Sequence, residues 1–133
     1  MYDDILIPTD GRANTERAIE EAIDLAGVHG ATLHALYIIH SSAIAPGMEF
    51  SDLEDAGSEA VDYVAGQAAE AGVTDVETMV RHGLRHEAIL DYAQQHGIDL
   101  IVMGRNRGLE RFLRTSVSEQ VSADATTPVL IVE

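Results

Sequence analysis

Residues 99–132 read DLIVMGRNRGLERFLRTSVSEQVSADATTPVLIV. Leu100-Ile101-Val102-Met103 is a short apolar, β-branched run of the kind buried in a parallel sheet. Gly104 opens an arginine-rich loop. Ser116 to about Ala123 then has Val117 and Val121 spaced for a short helix, and Val129-Leu130-Ile131-Val132 is a second buried run. Strand, loop, helix and strand in that order is a βαβ unit. In such units an anion sits at the carboxyl end of the strand, against free N–H groups and the positive end of the helix dipole. The loop holds Arg105, Arg107, Arg111 and Arg114, half of the arginines in the chain.

The same alternation runs backward to residue 1. Asp4 to Pro8 is a first strand, followed by a Thr9-Asp10-Gly11 turn. Residues 13–28 place Ile19, Ala22, Ile23 and Ala26 on one helical face, with Gly30 as the stop. Thr32 to Ile39 is a second strand. Residues 40–50 form a loop long enough for a lid or a partner contact. A helix follows from about Ser51 to Ala71, with Ser51 and Glu54 as a capping box and a face of Leu53, Gly57, Ala60, Val61, Val64 and Ala68. Val76 to Val80 is a weaker strand, and His86 to His96 a helix stopped by Gly97. This pattern predicts an α/β fold in one domain, residues 1–133. Its five-stranded parallel sheet has order 3-2-1-4-5, flanked by four helices in three layers. The order reverses between the first and fourth strands, so the ligand crevice is expected between Pro8–Asp10 and Gly104.

Composition narrows the function. The chain has 133 residues, 23 acidic and 8 basic, for a net charge of −15. All eight basic residues are arginine and there is no cysteine, which excludes disulfides and thiolate zinc sites. Residues 101–117 carry a net +3, so the other 116 residues carry −18. Such a surface repels nucleic acid and anionic membranes. It is best tolerated where salt screens it, which suggests a halophilic setting. No apolar run approaches the ~20 residues of a membrane span, and no leader is visible, so a cytoplasmic location is expected.

No standard catalytic motif stands out. A P-loop needs a lysine, and G-x-G-x-x-G and G-x-S-x-G are both missing. His82 and His86 are four apart, but Gly83 interrupts them, and two histidines rarely suffice for a metal; no metal site is read. His34 and His40 read as ends of a strand face rather than ligands. Ser116-x-x-Glu119 is either a helix cap or a phosphate-facing helix end. Asp10 is either a turn former or an acceptor for a ribose hydroxyl or base amino group. The arginines either bind an anion or pair with the acidic body.

These residues resemble the universal stress protein family along the whole chain. The resemblance is carried by Ile5-Leu6-Ile7-Pro8-Thr9-Asp10-Gly11, Leu36-Tyr37-Ile38-Ile39, Gly83 through Gly104, Thr115 to Val121, and Pro128 to Val132. It implies the HUP, adenine nucleotide alpha hydrolase-like, architecture and a dimer. One branch of that family binds ATP through G-x2-G-x9-G-[ST]. Here Gly104 matches the first glycine. Arg107 stands at the second, Thr115 at the third, the span is about two residues short, and only Ser116 survives at the end. The adenine-side positions match Pro8, Asp10 and Ile38. Thr9, Met103 and Val117 complete the candidate nucleotide set with Gly104, Arg107, Thr115 and Ser116. Thr115 is β-branched and suits neither close backbone approach nor positive φ.

The resulting expectation is a non-enzymatic stress-response homodimer with weak or lost ATP binding and no catalytic residues. Its dimer contact is expected at the fifth strand, Val129, Leu130, Ile131 and Val132. The alternative is a nucleotide sensor in which the arginine loop grips the phosphates of Mg-ATP. An ATP-hydrolysing enzyme is the remaining class, but neither a placed general base nor a metal cluster is visible.

Overall fold

The structure, a computed structural model, describes residues 1–11, 15–40, 47, 49–105 and 117–133. The described elements are β1 (Asp4–Pro8), α1 (Glu16–His29), β2 (Thr32–Ile39), α2 (Phe50–Glu70), β3 (Val76–His82), α3 (Arg85–Gln95), β4 (Leu100–Gly104), α4 (Val117–Asp124) and β5 (Val129–Val132). All strand pairs are parallel, in the order β3-β2-β1-β4-β5. This is the expected topology.

Both faces of the sheet are buried, and the period of two sorts the side chains. Ile5, Ile7, Leu33, Ala35, Leu100 and Val102 meet α1 and α2 through Ala22, Ile23, Val61 and Val64. Leu6, Leu36, Ile38, Ile101 and Met103 face the other way, onto Ile89, Tyr92, Ala93 and Val121. This explains why β1 and β4, at the centre of the sheet, read as unbroken apolar runs rather than alternating ones. Asp99 fastens the start of β4 to β1: its carboxylate accepts from the N–H groups of Asp3 (2.9 Å) and Asp4 (3.2 Å).

α1 ends at Gly30, whose φ of 65° closes the helix in the left-handed region. α2 differs in its start. Its N-cap is Glu49, not Ser51, and the Glu49 N–H donates to Asp52 Oδ2 at 3.2 Å. The box therefore sits two residues before the Ser51–Glu54 pair that the sequence offered. A carboxylate at the third helical position serves as well as Glu54 would have. β3 runs two residues beyond Val80, because Ile38 and Ile39 of β2 continue the ladder against Arg81 and His82. Most of the 40–50 loop, and with it the lid or partner-contact reading, lies outside the described residues.

Within α2, Gly57 permits a close approach. A Cβ there would lie 2.8 Å from Tyr37 Cδ1 and 3.0 Å from Val80 Cγ1. The small-residue face of this helix thus sets the distance between α2 and the β2–β3 side of the sheet.

Candidate functional site

The carboxyl ends of β1, β2 and β4 gather six of the candidate residues. Pro8 pairs with Leu36 in the ladder, and the Thr9 N–H donates to the Leu36 carbonyl at 2.8 Å. This carries the chain off β1 with Thr9 buried. Its hydroxyl accepts from the Gly11 N–H (3.2 Å) and lies 3.5 Å from the Thr15 hydroxyl, so the turn around Asp10 is tied to the start of α1. Ile38 and Met103 lie in the same apolar cluster. Gly104 ends β4 opposite Val132. Val117, at the start of α4, packs against that cluster from outside it. Arg107, Thr115 and Ser116 lie outside the described residues, as do Arg111 and Arg114.

Beside the β1 end, a cleft of about 390 Å³ opens on the α1/α2 side. Thr9, Asp10, Glu16, Tyr37, Glu59 and Tyr63 are among the residues that line it. Tyr63 donates to Glu16, and that bond is the main cause raising its phenol pKa. Three carboxylates and no basic side chain line the described cleft, so its potential is negative. Of the arginines expected to face an anion, Arg105 is described. Its Nη1 donates to Glu133 Oε1 at 2.8 Å, and its backbone N–H to the Val132 carbonyl. It holds the chain's own last residue.

Sequence reading missed a polar cluster at the opposite, amino end of the strands. His34 is not the end of a strand face. It is 2% exposed, pointing toward α3. Its Nε2 lies 2.9 Å from Asp4 Oδ1, its Nδ1 2.8 Å from the Tyr92 hydroxyl and 3.3 Å from Glu77 Oε2. Tyr92 stacks on His96 with centroids 4.0 Å apart and lies under the Arg81 guanidinium. Burial pushes the Tyr92 phenol up to about 12. The one available signal was a histidine inside an otherwise apolar strand. Its partners come from β1, β3 and α3, 30 to 62 residues away in sequence. His82, by contrast, faces Glu54 at 3.4 Å, and among the described residues neither it nor His86 belongs to a metal-ligating group.

A doubly wound parallel sheet of order β3-β2-β1-β4-β5 defines the class of α/β protein, and comparison with known proteins narrows it. The sequence model of the universal stress protein family matches residues 1–133, and the chain belongs to that family. Universal stress protein MJ0531 of Methanocaldococcus jannaschii is 34% identical over 143 residues, covering all of this chain and 83% of its own. Universal stress protein YxiE of Bacillus subtilis is 28% identical, with 99% of each chain covered. Among solved structures, a universal stress protein in complex with cAMP superposes with a TM-score of 0.81 at 26% identity, over 99% of this chain and 97% of that one. A universal stress protein from Archaeoglobus fulgidus in complex with dAMP shares the fold, with a TM-score of 0.78 at 20% identity over 99% and 98% of the two chains. No described helix is long and apolar enough to cross a membrane.

Proposed function

We propose that this chain is a non-enzymatic, cytoplasmic stress-response protein that works as a homodimer and holds ATP weakly or not at all. The observation that carries the reading is a split site. Pro8, Asp10 and Ile38, the positions that match the family's adenine side, lie at the carboxyl ends of β1 and β2, as Thr9 and Met103 do at the ends of β1 and β4. The phosphate side has Arg107 and Thr115 where glycines would expose backbone N–H groups. Two further facts support it. Arg105 is engaged with Glu133, and the adjoining cleft is lined by Asp10, Glu16 and Glu59, which repel a triphosphate. A charge-assisted hydrogen bond contributes ~1.5–3 kcal/mol, so losing two weakens ATP roughly a hundredfold or more. Calorimetric titration with Mg-ATP in molar KCl is the test, with only weak or undetectable binding expected. Micromolar affinity that disappears in an Arg107→Ala, Arg111→Ala variant would instead establish the arginine-loop sensor. The relative solved with cAMP keeps that second reading in view.

The dimer is assigned to β5. Among the described residues this strand pairs with β4 alone, and Leu130 remains 37% exposed. The carbonyls of Pro128 and Val132 accept from β4, so residues 129 and 131 turn their backbone groups to the open edge. An apolar edge of this kind pairs with another unless it is covered, and a two-fold axis would close it. Light scattering in molar KCl is expected to give a dimer mass, falling to monomer in Ile131→Pro, which removes an outward N–H. A wild-type monomer sinks the assignment.

A further inference from the structure

We propose that His34, Glu77 and His96 form a binding site for one divalent ion of the zinc or cobalt class. The site lies at the amino end of the strands, away from the nucleotide crest, and is independent of the reading above. One ligand atom from each of the three residues lies within 4.8 Å of the others. Two imidazoles and a carboxylate are a borderline-soft donor set, suited to zinc or cobalt with water in a fourth position.

The hydrogen-bond geometry around His34 makes the site more than a coincidence of spacing. The Asp4 carboxylate can only accept, so at 2.9 Å it fixes the proton on Nε2. This is the outer carboxylate that commonly orients a metal-bound histidine and raises its basicity. In the tautomer with that proton on Nε2 the lone pair is on Nδ1, which faces Glu77 Oε2 at 3.3 Å. Two acceptors meet there. The Tyr92 hydroxyl, its oxygen 2.8 Å from Nδ1, can donate its proton there and partly relieve the contact; an ion takes that lone pair in its place. A spacing of 3.3 Å is also close to that between two ligands of a four-coordinate ion with bonds of ~2.0–2.1 Å. The third donor, His96, sits at the C-cap of α3, is only half-buried, and can close onto the ion by side-chain rotation. Glu77 opens the site to solvent, which provides an entry path.

Cobalt(II) chloride titrated into tag-free, chelator-treated protein is the test, read by the visible d–d bands of four-coordinate cobalt. One ion per chain is expected, with affinity reduced about tenfold or more in Glu77→Gln and in His96→Gln. His86→Gln, outside the cluster, should bind as the parent does. Glu77 and His96 are chosen because both reach the surface, so the fold survives their loss. Circular dichroism confirms this, and the metal should raise the melting temperature of the parent and of His86→Gln more than that of the two ligand variants. Absence of saturable cobalt binding overturns the proposal. Binding that Glu77→Gln and His96→Gln leave unchanged overturns it as well.

Discussion

Raising KCl from tens of millimolar to molar is expected to raise the melting temperature by about 10 °C. The reason is the distribution of charge over the folded sheet, beyond the total of −15. α1 carries Glu16, Glu20, Glu21 and Asp24 against Arg17 and His29; α2 carries Asp52, Glu54, Asp55, Glu59, Asp62 and Glu70 with no basic residue. Both helices cover the same face, so folding concentrates ten carboxylates on one side. Pairs such as Glu16/Glu20, Glu20/Asp24 and Asp55/Glu59 fall one helical turn apart, where like charges destabilise by ~0.2–0.5 kcal/mol each. Like charges ~10 Å apart between the helices add ~0.4 kcal/mol per pair in water. Together they reach about 3 kcal/mol, and a Debye length of ~3 Å in molar salt removes most of it. Scanning calorimetry across a KCl series checks this. A flat or falling curve would leave the acidic composition without effect on stability, and the halophilic expectation without support.

Gly57→Leu is expected to destabilise the protein by about 3 kcal/mol, while Gly66→Ala stabilises it by ~0.5–1 kcal/mol. The two glycines lie on the same helix, and propensity alone would favour replacing both. They differ in what a side chain would meet. At Gly66 nothing lies within 4 Å of a new Cβ; at Gly57 Tyr37 and Val80 stand at 2.8 and 3.0 Å. Neither neighbour gives easily. Tyr37 is on β2 against the core and lines the cleft beside Asp10, and Val80 is held in β3. A leucine must lift α2 from the sheet or push Tyr37 into the cleft. Urea unfolding of both variants measures the contrast, and equal effects at the two positions would show that α2 is free to shift.

Much of this molecule was legible in order of residues alone. The runs at Asp4–Pro8, Thr32–Ile39, Val76–Val80, Leu100–Met103 and Val129–Val132, separated by helical spacing, determined five parallel strands and their sequence. A strand buried on both faces has no polar positions to confuse the period. Pro8, Asp10 and Gly104 were placed at the crest for the same reason: topology puts the carboxyl ends of β1 and β4 side by side. Helix starts were less legible, as Glu49 in place of Ser51 shows, because several acidic and hydroxyl side chains can cap equally well. What only tertiary structure decided was which distant residues meet. His34 became the centre of a buried polar cluster because β1, β3 and α3 bring Asp4, Glu77, Tyr92 and His96 around it. The acidic helices became one charged face because both pack on the same side of the sheet. Local sequence encodes period and propensity, which act over a few residues. Coulomb forces and ligand geometry act through space, and only the packed chain sets those distances.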